Sequence, residues 1–210
     1  MDKPYRKPIN TTIGLYLRHR FEKPEAKQTV VKWFLVHKVS SWYLLTMDET
    51  MEKLRNLHHR VDDRVAAITA SLPGELVCRL GCSDCCVDDI TVFAVEATRI
   101  RKEFGAVLEQ KPAPRGRCAF LNDAGGCRIY AARPYVCRTQ GVPLRWFDET
   151  DDGEMAEYRD ICPKNDDAVD LLTLVPEQCH TIGPYEDELR TLQETAYGDL
   201  RRVTLRSLFS

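Results

Sequence analysis

The chain has 210 residues, 43% hydrophobic and 30% charged, which is a globular composition long enough for one core and too short for an α/β barrel with a second domain. No run longer than ten residues lacks Asp, Glu, Lys and Arg, which argues against a transmembrane helix. The net charge of −2 divides into +6 over residues 1–46 and −8 over residues 47–210, and so acidic a body argues against a nucleic-acid partner, whose phosphates call for Lys and Arg.

Residues 1–46, basic and Pro-containing, read as a poorly ordered N-terminal extension, and Met47 opens the better-patterned segment, so the first 46 residues are expected to lie upstream of the native start. The apolar stretch from Val30 to Leu45 is broken by Lys32, His37 and Lys38, and no small-residue cleavage site follows it. A cytoplasmic protein that does not engage membranes is therefore expected. Residues 47–210 are expected to form a single cysteine-cluster metal-binding domain.

Within that domain, Met47, Met51, Leu54, Val61, Val65, Ile68 and Leu72 keep steps of three, four and seven. This spacing predicts an amphipathic helix over residues 48–70, ending before Pro73 and Gly74, with His58 and His59 facing solvent. Cys78, Cys82, Cys85 and Cys86 follow; on a helical turn their spacing would put several sulfurs on one face, and Gly81 would let the backbone fold tightly. The β-branched run from Ile90 to Val95 predicts a short strand entering a helix at Glu96, with Gly105 as its stop. Between Cys118 and Cys127 the run Asn122-Asp123-Ala124-Gly125-Gly126 is turn chemistry, so a β-hairpin is expected with the two cysteines near its bases. Pro134 opens a turn or short helix that carries Cys137. Asp148 to Gly153 reads as an acidic loop, Leu171 to Val175 as a strand or helical turn, and Leu189, Leu192, Ala196, Leu200 and Val203 as the stripe of a final helix over residues 186–207. The expected fold class is α+β: a small helical domain with short β-hairpins organised around cysteine-rich metal-binding loops.

The chemistry lies in the nine cysteines, all of them within the 102 residues from Cys78 to Cys179. An odd count without an export signal reads as free thiols, and soft thiolate donors select zinc or an iron–sulfur cluster. The vicinal pair Cys85 and Cys86 is free to serve one centre or two. Arg117, Arg128, Arg133 and Arg138 crowd the cysteine segments, and the favoured reading is that they neutralise thiolates or cap turns rather than form an anion pocket. His180 is a candidate imidazole ligand, with a surface residue or one that supports a ligand as the favoured reading.

The string from Cys78 through Cys86, joined to Cys118-Ala119-Phe120-Leu121, Cys127-Arg128-Ile129-Tyr130, Arg133-Pro134 and Cys137-Arg138, resembles the YkgJ-type cysteine-cluster family, a zinc- or iron-chelating domain, over residues 75–165. That resemblance implies metal ligation by Cys78, Cys82, Cys85, Cys86, Cys118, Cys127, Cys137 and Cys162. Cys179 falls outside the pattern, and its replacement by Ser is expected to be nearly silent. The function so implied is a metal-chelating or structural module holding zinc or an iron–sulfur cluster. The alternative is a small iron–sulfur enzyme acting in redox chemistry or S-adenosylmethionine-dependent methyl transfer, as a relative, the flagellin lysine N-methylase, suggests. The spacing of Cys78, Cys82 and Cys85 coincides with the radical S-adenosylmethionine signature, but too little chain follows for the barrel of those enzymes and Cys86 could close the fourth position. No catalytic residue and no organic cofactor site is assigned.

Overall fold

The computed structural model describes residues 39–78 and 81–209, with the backbone alone over 39–46. Its helices are α1 (Val39–Ser71), α2 (Ala94–Leu108), α3 (Tyr135–Arg138) and α4 (Pro184–Tyr197). Its strands are β1 (Thr91–Phe93), β2 (Leu144–Glu149), β3 (Met155–Asp160), β4 (His180–Thr181) and β5 (Arg202–Thr204), so the class is α+β as expected. The expectation for an N-terminal extension falls, over residues 1–38, outside the described residues, and residues 39–46 continue the backbone of α1. No helix among the described residues is long and apolar enough to cross a membrane.

The apolar stripe of α1 is buried at Met51, Leu54, Leu57 and Val61, where it packs on Leu189 and Leu192 of α4 together with Phe93, Val95 and Tyr135. His58 is a correction: it is buried on this helix at 2% exposure, while His59 is exposed as expected. Its place between Leu57 and Val61 turns it toward α2, where Glu96 and Arg99 supply polar partners that a reading of α1 alone does not reveal. α2 starts at Ala94 and runs past Gly105, the expected stop, to Leu108. The chain absorbs Gly105 with a local departure from helical geometry at Phe104 (φ −131°, ψ 29°).

The final helix is shorter than its stripe suggests. It ends at Tyr197 because Gly198 takes a left-handed φ of 70° and sends its N–H back to the Glu194 carbonyl. The chain then returns as β5, antiparallel to β1 with Thr91 opposite Thr204, and ends in a 3-10 turn over Leu205–Phe209. Leu205 and Leu208 thereby close a second core with Val92, Ile100, Phe120 and Ile129, directly under the cysteine loops.

The segment expected to be an acidic loop is the tip of a hairpin formed by β2 and β3, and β4 adds to β2 in parallel, giving the order β3-β2-β4. Trp146 and Tyr158 face each other across it with ring centroids 5.8 Å apart. Their cross-strand stacking holds strands whose charged residues hide the period-two pattern from a sequence reading. Residues 171–173 form the helical-turn alternative expected before Pro176.

Candidate metal centre

The first cysteine group does not sit on a helix. α1 ends at Ser71, and none of the described residues between it and the start of β1 is helical, with Gly81 at a φ of 92° between Cys78 and Cys82. A left-handed residue breaks any helical register across the group, so the sulfurs are gathered by loop closure instead. The Cys86 N–H bonds to the Ser83 carbonyl at 2.9 Å, and the Cys118 N–H bonds to the Cys86 carbonyl at 2.8 Å, which sews the first group to the second.

The expected hairpin between Cys118 and Cys127 shrinks to one bridge pairing Leu121 with Cys127. Asn122 closes the turn with side chain and backbone together: its Oδ1 accepts the Gly126 N–H at 2.8 Å, and its backbone N–H donates to the Gly126 carbonyl at 2.9 Å. Cys137 rides on α3, which Pro134 introduces as expected. Cys162 stands immediately before the 3-10 turn Pro163–Asn165, and its carbonyl accepts the Asn165 N–H at 2.7 Å.

These loops enclose a cavity of about 270 Å³ lined by seven cysteines: Cys78, Cys82, Cys85, Cys86, Cys118, Cys127 and Cys137. Cys162 adjoins it as a neighbour of Cys78. Cys179 does not: it is fully buried in a separate apolar cluster with Ile161, Val169, Leu171 and Leu174, a place in which an added hydroxyl would not be silent. All nine thiols are free. Among the described residues no three Cys, His, Asp or Glu side chains converge on a point as a single ion would require.

The sulfurs fall into two sets by their neighbours. Cys85, Cys86, Cys118, Cys127 and Cys137 form one: Cys86 stands near Cys85, Cys137 and Cys118, and Cys137 near Cys118, Cys127 and Cys85. Cys78, Cys82 and Cys162 form the other. In the first set burial drives the thiol pKa of Cys118, Cys127 and Cys137 upward, and neighbouring thiols push those of Cys118 and Cys137 further. The vicinal pair divides one proton: Cys85 falls to about 7 because its thiolate accepts the Cys86 S–H, and Cys86 is pushed up as the holder of that proton. Cys78 rises to about 11, through burial first and the nearby Cys162 and Cys82 thereafter, against an Asn165 N–H that stabilises its thiolate.

Around this nest the arginines serve the backbone and one carboxylate. Arg128 donates to the carbonyls of Ala119 at 2.7 Å and Phe120 at 3.4 Å, bracing the second cysteine loop. Arg133 and Arg138, both on the cavity wall, share the single carboxylate of Asp62, and Arg138 also donates to the Ala131 carbonyl at 2.9 Å. Two guanidinium groups on one carboxylate leave positive charge beside the sulfurs. Arg117 contributes its carbonyl to Arg206.

Behind the wall runs a buried polar chain that the sequence did not announce. Glu96, 3% exposed, accepts the Tyr135 N–H at the start of α3 at 2.8 Å and meets His58 Nε2 at 3.3 Å. Its carboxylate stays below the ordinary range although burial alone would raise it, because His58 and the Tyr135 N–H stabilise the charge. The Tyr135 hydroxyl then reaches His180 Nε2 at 2.8 Å, so His180 is neither a surface residue nor in the cavity. Burial holds its pKa at about 4, which keeps it neutral. The signal for Glu96 was a charged residue inside an apolar stripe, between Val95 and Ala97.

The cavity fits a thiophilic group larger than one ion. A water needs about 10–15 Å³ of such space, so 270 Å³ admits several heavy atoms, and the wall offers soft donors that raise one another's pKa until a cation relieves them. Residues 77–163 match the model of the CxxCxxCC family, described as a putative zinc- or iron-chelating domain, which bears out the resemblance read in the sequence over this stretch. No curated protein and no solved structure matches the chain.

Proposed function

We propose that this zinc- or iron-chelating stretch carries an iron–sulfur centre as its resident group, held by thiolates drawn from Cys85, Cys86, Cys118, Cys127 and Cys137. The observation that carries this reading is the size of the sulfur-lined cavity, far beyond what a single zinc ion at metal–sulfur distances of about 2.3 Å would fill. When bound, such a group supplies one-electron transfer or structural cross-linking of the loops. The chain's own part is to hold it. Glu96 fixes the first N–H of α3 and so the placement of Cys137, Arg133 and Arg138 offset thiolate charge, and Phe120, Ile129 and Leu205 dry the cavity floor.

Five thiols exceed what a four-ligand centre uses, which favours a closed structural or electron-carrying centre over the enzymatic alternative, where one position must stay open to substrate. The test is the full chain purified without oxygen, with iron, acid-labile sulfide, zinc and visible absorption measured together. Iron and sulfide in comparable amounts are expected, with Cys137→Ser losing both. A colourless chain holding zinc and no sulfide would overturn the reading.

A further inference from the structure

The negative charge of residues 47–210 is not spread over them. Residues 144–177 hold three Lys and Arg against eleven Asp and Glu, a net of −8, which is the whole net charge of 47–210, so the remainder is balanced. This segment is the β2–β3 hairpin with the turns that follow it, and none of its residues lines the sulfur cavity. We propose that the outer edge of β3, with the exposed face beside it, docks an extended basic segment of a partner protein as an added strand.

Three observations carry the proposal. β3 ends its sheet: among the described residues it pairs with β2 alone, so its other edge is a template for one more strand. Beside that edge apolar side chains are exposed together. Phe147 stands opposite Glu157 and Met155 opposite Glu149, so Phe147 and Met155 are diagonal neighbours on one face of the hairpin, and they are 47% and 67% exposed. On the same face Arg159 donates to the carbonyls of Leu171 and Leu174 at 2.9 and 2.7 Å, which brings the exposed Leu172 and Val175 up to it. Clustered apolar surface of this kind marks an interaction site. Third, the tip of the hairpin presents Asp148, Glu149, Asp151, Asp152 and Glu154, all exposed.

Charge decides the occupant. A second copy would bring an identical acidic segment against this one, and a nucleic acid or an anionic lipid surface is repelled in the same way. A strand rich in Lys and Arg gains from that field. The alternation of an extended chain lays its apolar side chains on the face of Met155 and Phe147 while its basic ones reach the acidic tip, and main-chain hydrogen bonds to β3 fix the register. The docked partner is tied to the metal site through the chain itself: Val142, two residues before β2, lines the cavity, and Cys162, two residues after β3, adjoins it.

The experiment uses the full chain, purified without oxygen, and a fluorescent peptide of about eight residues in which valine and lysine alternate. Binding is expected at low salt, with amide hydrogen exchange slowed over Met155–Asp160. A peptide of the same composition, with its valines and lysines in two blocks, should bind about tenfold more weakly. The double variant Phe147→Ser with Met155→Ser removes apolar contact and no charge; it should also weaken binding about tenfold while keeping the metal content and thermal stability of wild type. Asp151→Asn with Asp152→Asn should weaken binding at low salt and match wild type at about 0.5 M salt, where exposed charges are screened. No binding by wild type would overturn the proposal. So would equal binding of the two peptides, a double serine variant that binds like wild type, or unchanged exchange over Met155–Asp160, each of which would reduce the surface to a diffuse acidic patch. None of these results bears on which metal the cavity holds.

Discussion

Two regions bury polar chemistry in this molecule, and they do so in opposite ways. In the spine behind the wall every link joins a donor to an acceptor: His58 to Glu96, the Tyr135 N–H to Glu96, the Tyr135 hydroxyl to His180. In the cavity a thiol's neighbours are other thiols, and most raise each other's pKa. The first region is satisfied along this run, His180 Nδ1 being the atom at its end without a hydrogen-bond partner. The second is half of an interaction, and a cation is the missing half.

The largest expected effect separates them by metal removal. Stripping the resident group with a strong chelator under reducing conditions should leave the α1–α4 packing protected in hydrogen exchange while amides in 75–90 and 111–142 lose protection. Structural thiolate sites in small zinc domains are worth on the order of 10 kcal/mol in apparent terms, so this loss should exceed that from any single side chain. Equal protection in both regions, with and without metal, would erase the contrast. Next comes Glu96→Ala, which leaves His58 and the Tyr135 N–H without their acceptor and should cost about 3–5 kcal/mol in urea denaturation. Glu96→Gln, which keeps an oxygen for the Tyr135 N–H, should cost less; a cost for Ala below that for Gln would show that the spine is not closed. The smallest effect sharpens the boundary of the site. Cys179→Ser should lose about 1–3 kcal/mol by burying an unpaired hydroxyl among Ile161, Val169, Leu171 and Leu174, and retain full metal content.

The thiol chemistry was legible because it is written in residue type: no other side chain replaces a soft sulfur donor, and seven of the eight expected ligands share one cavity. The helices were legible in their apolar stripes but less so in their ends. The stripe through Leu200 and Val203 continues past Gly198, and only the left-handed backbone there shows that these residues leave the helix, Val203 to pack beside Leu205 and Leu208. The β2–β3 hairpin stayed hidden because charged residues stand side by side at Asp148-Glu149 and Arg159-Asp160 and break the alternation that marks a strand, and its stability comes from pairings such as Trp146 with Tyr158 that sequence order does not show. His58 and His180 were misplaced for the same reason, since what buries each is a partner far along the chain: Glu96 for the first, Tyr135 for the second.

Gly141 carries a consequence of its own. At a φ of 95° it presses its backbone so close to Cys78 that a β-carbon there would sit 2.7 Å from the sulfur. An alanine scan would therefore score position 141 as strictly as a ligand although it donates no electrons: it gives up volume, and Cys78 occupies what it vacates.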